Sequence, residues 1–311
     1  MFRCFSSLLI FLSFVLSCTL PVQLEKPNDD KLSISEAKRL PSRMNYEPLK
    51  ILIIGNSWSE NSTDDLGLIL DNLGYKVDLN RTYLGNASLR DYSNNLATRD
   101  SILTYSSWQD DKWIKSECKL CLDDVIDMKE WDVITLQQRS KNSVSYTTYQ
   151  PYLNILLNKI YSLDVVPLVY YHVTWSYPHK TELNKFPVES MSTESMYDEI
   201  IKTWSRICRE TNNYNVILST PVIQQSRRIE CINASLFDTE DGLHLFEGKY
   251  AAACAWASTF IQTYYDPSVR DKEIFDCTYY GPYSEEVAKS IQMISYNVAS
   301  NINDYMEFNS L

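Results

Sequence analysis

The stretch "LKILIIGNSWSEN", residues 49–61, decides the fold. Ile51 to Ile54 form an apolar run, and Gly55-Asn56-Ser57 ends it. A run of this length bounded by a turn signal reads as a strand buried on both faces. Such strands belong to parallel sheets covered by helices. The small-residue turn is then the open question. It is often only a turn, but it is also where an α/β enzyme presents a nucleophile.

Outward from this strand the chain alternates. Apolar residues at helical spacing predict a helix over 63–75, and 76–85 reads as a strand. Residues 88–99 read as a helix. Residues 101–117 alternate on both sides of a polar turn at Gln109–Lys112 and predict an inserted β-hairpin. A short helix follows at 121–130, then a buried strand at 131–138 and an amphipathic helix at 148–163. A strand over 164–175 has Pro167 near its start. A long helix at 192–212 carries Met196, Ile200, Trp204 and Cys208 on one face. The last strand is expected at 214–223, and closing helices at 246–265 and 284–302. This alternation predicts an α/β fold: a three-layer flavodoxin-like sandwich with about five parallel strands and helices on both faces. Ligands bind such sheets beyond the carboxyl ends of the strands. Gly55-Asn56-Ser57, Gly85, Gln137-Gln138 and His172 to Trp175 all fall at those ends.

The chain has 311 residues, 44% hydrophobic, and a formal net charge of −11. It shows no basic stripe, which argues against nucleic acid as a partner. The 22 tyrosines suit strands and also suit stacking on sugar rings. Residues 1–17 have secretory-signal form, with Arg3 followed by an apolar stretch from Leu8 to Leu16 that is short for a membrane span. The signal ends "VLSC", which resembles a bacterial lipobox with Cys18 as the lipidated residue. Leu16 replaces the usual small residue there. Residues 18–47 are polar and Pro-containing and read as a tether, leaving 48–311 as the domain. The expected location is therefore the bacterial cell envelope, with the membrane touched only through the lipid anchor. Of 8 Cys, Cys4 and Cys18 fall in the signal region. Cys118-Lys-Leu-Cys121 is a lone CxxC, read as a structural disulfide or free thiols ahead of a redox or metal site. No phosphate loop or metal-ligand cluster is present, so neither cofactor nor metal is expected.

A serine hydroxyl needs a base, usually His, oriented by a carboxylate. The chain has 3 His. His244 lies in "DGLHL", three residues after Asp241, and Gly242 permits a tight turn between them. That spacing lets a carboxylate reach Nδ1 and leaves Nε2 to face a serine. Alone, His244 would read as a helix-entry residue and Asp241 as an N-cap. His172 and His179 lack such a carboxylate and read as structural. Ser59 is a rival nucleophile, expected to point elsewhere once the turn is made. Adjacent acidic pairs such as Asp110-Asp111 read as solvated faces, not as the two carboxylates of a glycosidase.

"IGNSWSEN" near the start and "DGLHL" near the end resemble the first and last motif blocks of the SGNH (GDSL-like) hydrolases, over roughly residues 48–265. Together with "LGNASLRDY", "WDVITLQQRS", "TWSYP" and "GKYAAA", they resemble the bacterial DUF4886 branch. The resemblance implies Ser57 as nucleophile, His244 as general base and then acid, and Asp241 as its orienting carboxylate. It implies oxyanion donors from the backbone N–H groups of Ser57 and Gly85. The family's third donor, an Asn side chain in a Gly-x-Asn-Asp block, has no counterpart. Gln137 or Gln138 is the substitute, with Gln138 favoured as nearer the strand end. Asn56 stands where the founding motif has Asp. The flank Gly55-x-Ser57-x-Ser59 is not the Gly-x-Ser-x-Gly elbow of α/β-hydrolases. Trp58, Asn86 and Trp175 are expected to line the substrate site. The implied activity is cleavage of an ester, with an O-acetyl or similar group on a carbohydrate leading and lipid or thioester substrates behind it. The rival readings are a glycan-binding lipoprotein without catalysis and a carboxylate-based glycosidase.

Overall fold

The computed structural model describes residues 47–178, 191–229, 244–264 and 277–308, together with Ile232, Leu236 and Phe237. Cys18, His179, Cys231 and Asp241 lie outside the described residues, as do the signal and all of the tether before Glu47.

The decisive stretch forms strand β1, Leu49–Gly55, with Ile51, Leu52, Ile53 and Ile54 all in the core. β1 pairs in parallel with β2 (Val77–Tyr83) on one side and β5 (Val133–Gln137) on the other. β6 (Leu168–Val173) and β7 (Val216–Leu218) continue the parallel set. The predicted hairpin is β3 (Leu103–Gln109) and β4 (Lys112–Leu120), antiparallel and added to the edge at β2. The sheet therefore has seven strands in the order β4-β3-β2-β1-β5-β6-β7. Five of them are parallel in the flavodoxin-like order. The chain leaves β1 for β2 and returns to its other side at β5, so the switch point, where such folds bind ligands, lies at the end of β1.

Helices cover both faces. One face carries α1 (Ser57–Thr63), α2 (Leu66–Asn72), α7 (Ser219–Ser226), α8 (Lys249–Tyr264) and α9 (Glu285–Ser300), with α8 touching the other four. The other carries α3 (Leu89–Thr98), α4 (Leu122–Ile126), α5 (Tyr152–Tyr161) and α6 (Thr193–Thr211). A short α10 (Ile302–Tyr305) follows α9. β6 shows how the strand period feeds both layers. Tyr171 stacks on Trp204 of α6 at 5.1 Å between ring centroids, whereas Tyr170 and His172 face Phe260 and Trp256 of α8.

Two elements differ from their sequence patterns. The helix expected over 63–75 is α2, Leu66–Asn72. A separate unexpected helix, α1, precedes it from Ser57, where the Asn56 side chain caps it by accepting from Trp58 N at 3.0 Å. The strand expected over 214–223 ends at Leu218, and Ser219 opens α7. Pro221 sits in the first turn of that helix, where its missing N–H has no intrahelical acceptor to lose. Cys118, Cys121, Cys208, Cys254 and Cys277 are unbonded, so the CxxC stands as two thiols. Among the described residues no helix is long and apolar enough to cross a membrane.

The hairpin docks through tryptophans. Trp113 donates to Thr63 O at 3.2 Å, and the Arg81 guanidinium lies 4.0 Å over its ring. Trp108 packs so tightly on α2 that a Cβ on Gly67 would fall 2.1 Å from its indole. Gly67→Ala must push Trp108 out, and overpacking of this kind costs about 1–3 kcal/mol. The expected result is a lower urea midpoint with an unchanged m-value; an unchanged midpoint would show that the hairpin contributes nothing to stability.

Candidate active site

The turn after β1 is built by close approach. A Cβ on Gly55 would lie 2.1 Å from Ser59 Oγ and 2.8 Å from Gln137 Oε1. Only glycine lets the strand end this near the first turn of α1. Gln137, at the end of β5, reaches across: its Oε1 accepts from Asn56 N at 3.1 Å and from Ser59 Oγ at 3.0 Å. The Asn56 amide donates to Ala87 O at 2.8 Å and ties the loop after β2 to the turn. An Asp could not make that donation, which explains Asn at this position physically. Ser57 is thereby left as the first residue of α1, half-buried, with its side chain turned to His244.

Ser57 Oγ lies 2.8 Å from His244 Nε2, a pair 187 residues apart in sequence. The Trp58 ring stands beside the imidazole, 5.7 Å between centroids. His244 is held from α1 itself. Asn61, one turn beyond Ser57, donates to Leu245 O at 3.0 Å and accepts from Leu245 N at 2.8 Å. This double bond to the neighbouring backbone fixes the segment that carries His244. Asn61 was not singled out from the sequence; its place in "GNSWSEN", four residues after Ser57, was the available signal.

Several expected roles change. The Gln137 amide donates to Gln138 O, and the Gln138 amide donates to Thr148 O at 3.0 Å. Gln138 Oε1 accepts from Leu89 N and Arg139 N. Both carboxamides are buried and hold backbone, so the structure assigns neither as the third oxyanion donor. Trp175 is 0% exposed and stacks under Trp58 at 4.2 Å. It supports the Trp58 ring and offers no face to a substrate, and Trp58 is itself buried. Gly85 and Asn86 are exposed on the loop that Asn56 anchors, with Asn86 at φ 58°. Phe246, 61% exposed and two residues after His244, adds an aromatic surface that the sequence reading did not select. Ser59 points away from His244, as expected of it. Among the described residues no group of three His, Cys, Asp or Glu converges to hold a metal ion.

Beneath the turn lies a second buried histidine. His172 Nδ1 is 3.5 Å from Ser59 Oγ, and Nε2 is 3.0 Å from Ser219 Oγ. Burial pushes His172 down to about 3 and keeps it neutral.

Residues 50–274 match the family model described as "Domain of unknown function (DUF4886)". The chain belongs to the DUF4886 family. Its fold is shared with a DUF4886 family protein from Bacteroides uniformis, at TM-score 0.69 and 22% identity, covering 83% of this chain and 96% of that one. A putative SGNH hydrolase from Slackia heliotrinireducens is similar at TM-score 0.47 and 16% identity, covering 68% and 98%. An acetylxylan esterase from Geobacillus stearothermophilus follows at TM-score 0.45 and 12% identity, covering 71% and 96%. These last two likenesses are too weak to carry function. No curated protein matches significantly. What this DUF4886 member can do chemically must therefore come from its own atoms.

Two measurements check this geometry. Asn61→Ala strips two partners from the Leu245 backbone, at a cost of about 1–3 kcal/mol for each buried group left unsatisfied. The expected outcome is a lower melting temperature and faster hydrogen exchange at the Leu245 amide. Unchanged exchange would mean that the clamp holds nothing. For His172, the unfolded chain takes up a proton near 6.5, but the folded chain refuses it down to about 3. Stability should therefore fall as pH drops through that window. Urea melts of His172→Asn should show a flatter pH profile than wild type, and parallel profiles would remove His172 as the cause.

Proposed function

We propose that this protein is a serine hydrolase that cleaves an ester, and that its substrate is an O-acylated carbohydrate, with O-acetyl foremost. The 2.8 Å contact between Ser57 Oγ and His244 Nε2, at the switch point of a parallel sheet, carries this reading. A neutral imidazole at this distance takes the hydroxyl proton as Oγ attacks the acyl carbonyl. The tetrahedral intermediate carries its negative charge on the former carbonyl oxygen. Ser57 N–H, in the first turn of α1 where helical N–H groups lack intrahelical acceptors, is placed to donate to it. Gly85 N–H, on the loop tied down by Asn56, is the second proposed donor. His244 then returns the proton to the departing sugar hydroxyl and leaves an acyl-enzyme. Water, activated by the same imidazole, releases the acid and regenerates Ser57.

Asp241, assigned from the motif alone, is the proposed carboxylate that would orient His244. The motif blocks support an ester hydrolase, and exposed Phe246, two residues after His244, would offer a sugar an aromatic face. The signal and Cys18 support an enzyme tethered at the cell envelope.

The deciding assay follows acyl release by the mature domain from a chromogenic acetyl ester and from acetylated polysaccharides, with wild type beside Ser57→Ala. Loss of a triad nucleophile typically costs on the order of 10³-fold or more in kcat. The expected outcome is release by wild type and a loss of that size in a variant with an unchanged melting curve. Equal release by both would reduce Ser57 to a turn residue.

A further inference from the structure

Arg139 follows β5 by two residues, at the same end of the sheet as Ser57. The β1–β5 register ends at Ile54–Leu136, so Arg139 leaves β5 at the sheet end where Ser57 opens α1. Its backbone is fixed, since Arg139 N donates to Gln138 Oε1 at 2.9 Å. Its neighbour Ser140 lies 2.9 Å from the Tyr177 hydroxyl. The Tyr177 ring packs on Trp58 at 5.6 Å, and Trp58 packs on His244. Arg139 thus belongs to the wall that runs from β5 to the Ser57–His244 pair.

Among the described residues its guanidinium meets no acceptor. Nε is buried with no hydrogen-bond partner, and no ion pair is made by Arg139 among the described residues. Arg81, Arg99 and Arg206 each pair with carboxylates. Asp91 is close enough for its charge to be felt at Arg139, but one of its oxygens already accepts both Ser88 N and Ser88 Oγ. Lys141 lies near enough that Arg139 helps push its ammonium down. Burial disfavours the charged Arg139 as well. A half-buried guanidinium without acceptors is costly. Its lack of a carboxylate partner among the described residues points to one that arrives with the substrate.

We infer that Arg139 recognises a carboxylate on the substrate, so that the ester brought to Ser57 is an acyl group on an acidic sugar such as a uronic acid. This rests on the esterase reading and names its substrate class. The planar fork of one guanidinium donates two parallel hydrogen bonds, the match for a carboxylate. Phe246 and the exposed Gly85–Asn86 loop would then meet the neutral parts of the sugar.

The test compares kcat/KM for three O-acetylated probes: a galacturonate oligosaccharide, a xylo-oligosaccharide and a hexose phosphate. Wild type should favour the galacturonate ester. In Arg139→Ala the galacturonate-to-xylose ratio should fall roughly 10-fold or more, the size expected for losing a charge-assisted pair. The loss should sit mainly in KM, and Arg139→Lys should recover part of it. An unchanged ratio, or a preference for the phosphate, would overturn the inference. Calorimetry of the galacturonate oligosaccharide on Ser57→Ala and on Ser57→Ala/Arg139→Ala separates the two readings. Binding lost with Arg139 supports recognition even if no ester is cleaved. Cleavage of the neutral ester with no carboxylate binding leaves the esterase standing and ends the Arg139 assignment.

Discussion

The Gln137 carboxamide oxygen, reaching from the end of β5 to the turn after β1, is the contact on which the site depends. It accepts from Asn56 N and Ser59 Oγ together, and it can do so only because Gly55 has no Cβ to block the approach. The result is a strand that passes into a helix within two residues. Ser57 is left at the helix start with its hydroxyl outward, and Ser59 is locked inward. Two serines two residues apart thus receive opposite fates from one acceptor atom.

A layer of buried polar groups extends this clamp under the site. Asn56 anchors the β2 loop, Ser59 meets His172, and His172 meets Ser219 at the start of α7. These groups span β1, β5, β6 and the segment after β7. Hydrogen-bonded networks of this kind are strong in a low-dielectric interior when their members are paired. Neutral His172 suits that role, because a buried cation would demand a counter-charge. The Ser57–His244 contact needs a fixed imidazole, and Asn61 supplies that by gripping Leu245 from the helix that Ser57 begins. Ser57 and His244 are therefore positioned by one short helix.

Much of this was legible in the sequence. The apolar runs of β1 and β5, the hairpin around Gln109–Lys112 and the apolar face of α6 follow from periodicity, which the sheet and helix geometries impose directly. Ser57 and His244 were findable because only three histidines compete and the motif blocks stand in order. What escaped depends on contacts between distant segments. Asn61 binds backbone 184 residues away, and no spacing rule encodes that. Gln137 and Gln138 look like spare donors on a strand end, but tertiary acceptors and donors consume both. Trp175 looks like a loop aromatic, and Trp58 covers it. Arg139 stands in a quoted motif, yet that it lacks a partner among the described residues shows only in the tertiary structure.

The central claim is that His244 activates Ser57 and not Ser59. Reaction of the mature domain with a fluorophosphonate, followed by mass spectrometry of the modified peptide, tests it without knowledge of the substrate. The account predicts one adduct, on Ser57, that disappears in His244→Ala while Ser59 stays unmodified. An adduct on Ser59, or labelling of Ser57 that is indifferent to His244, would contradict it.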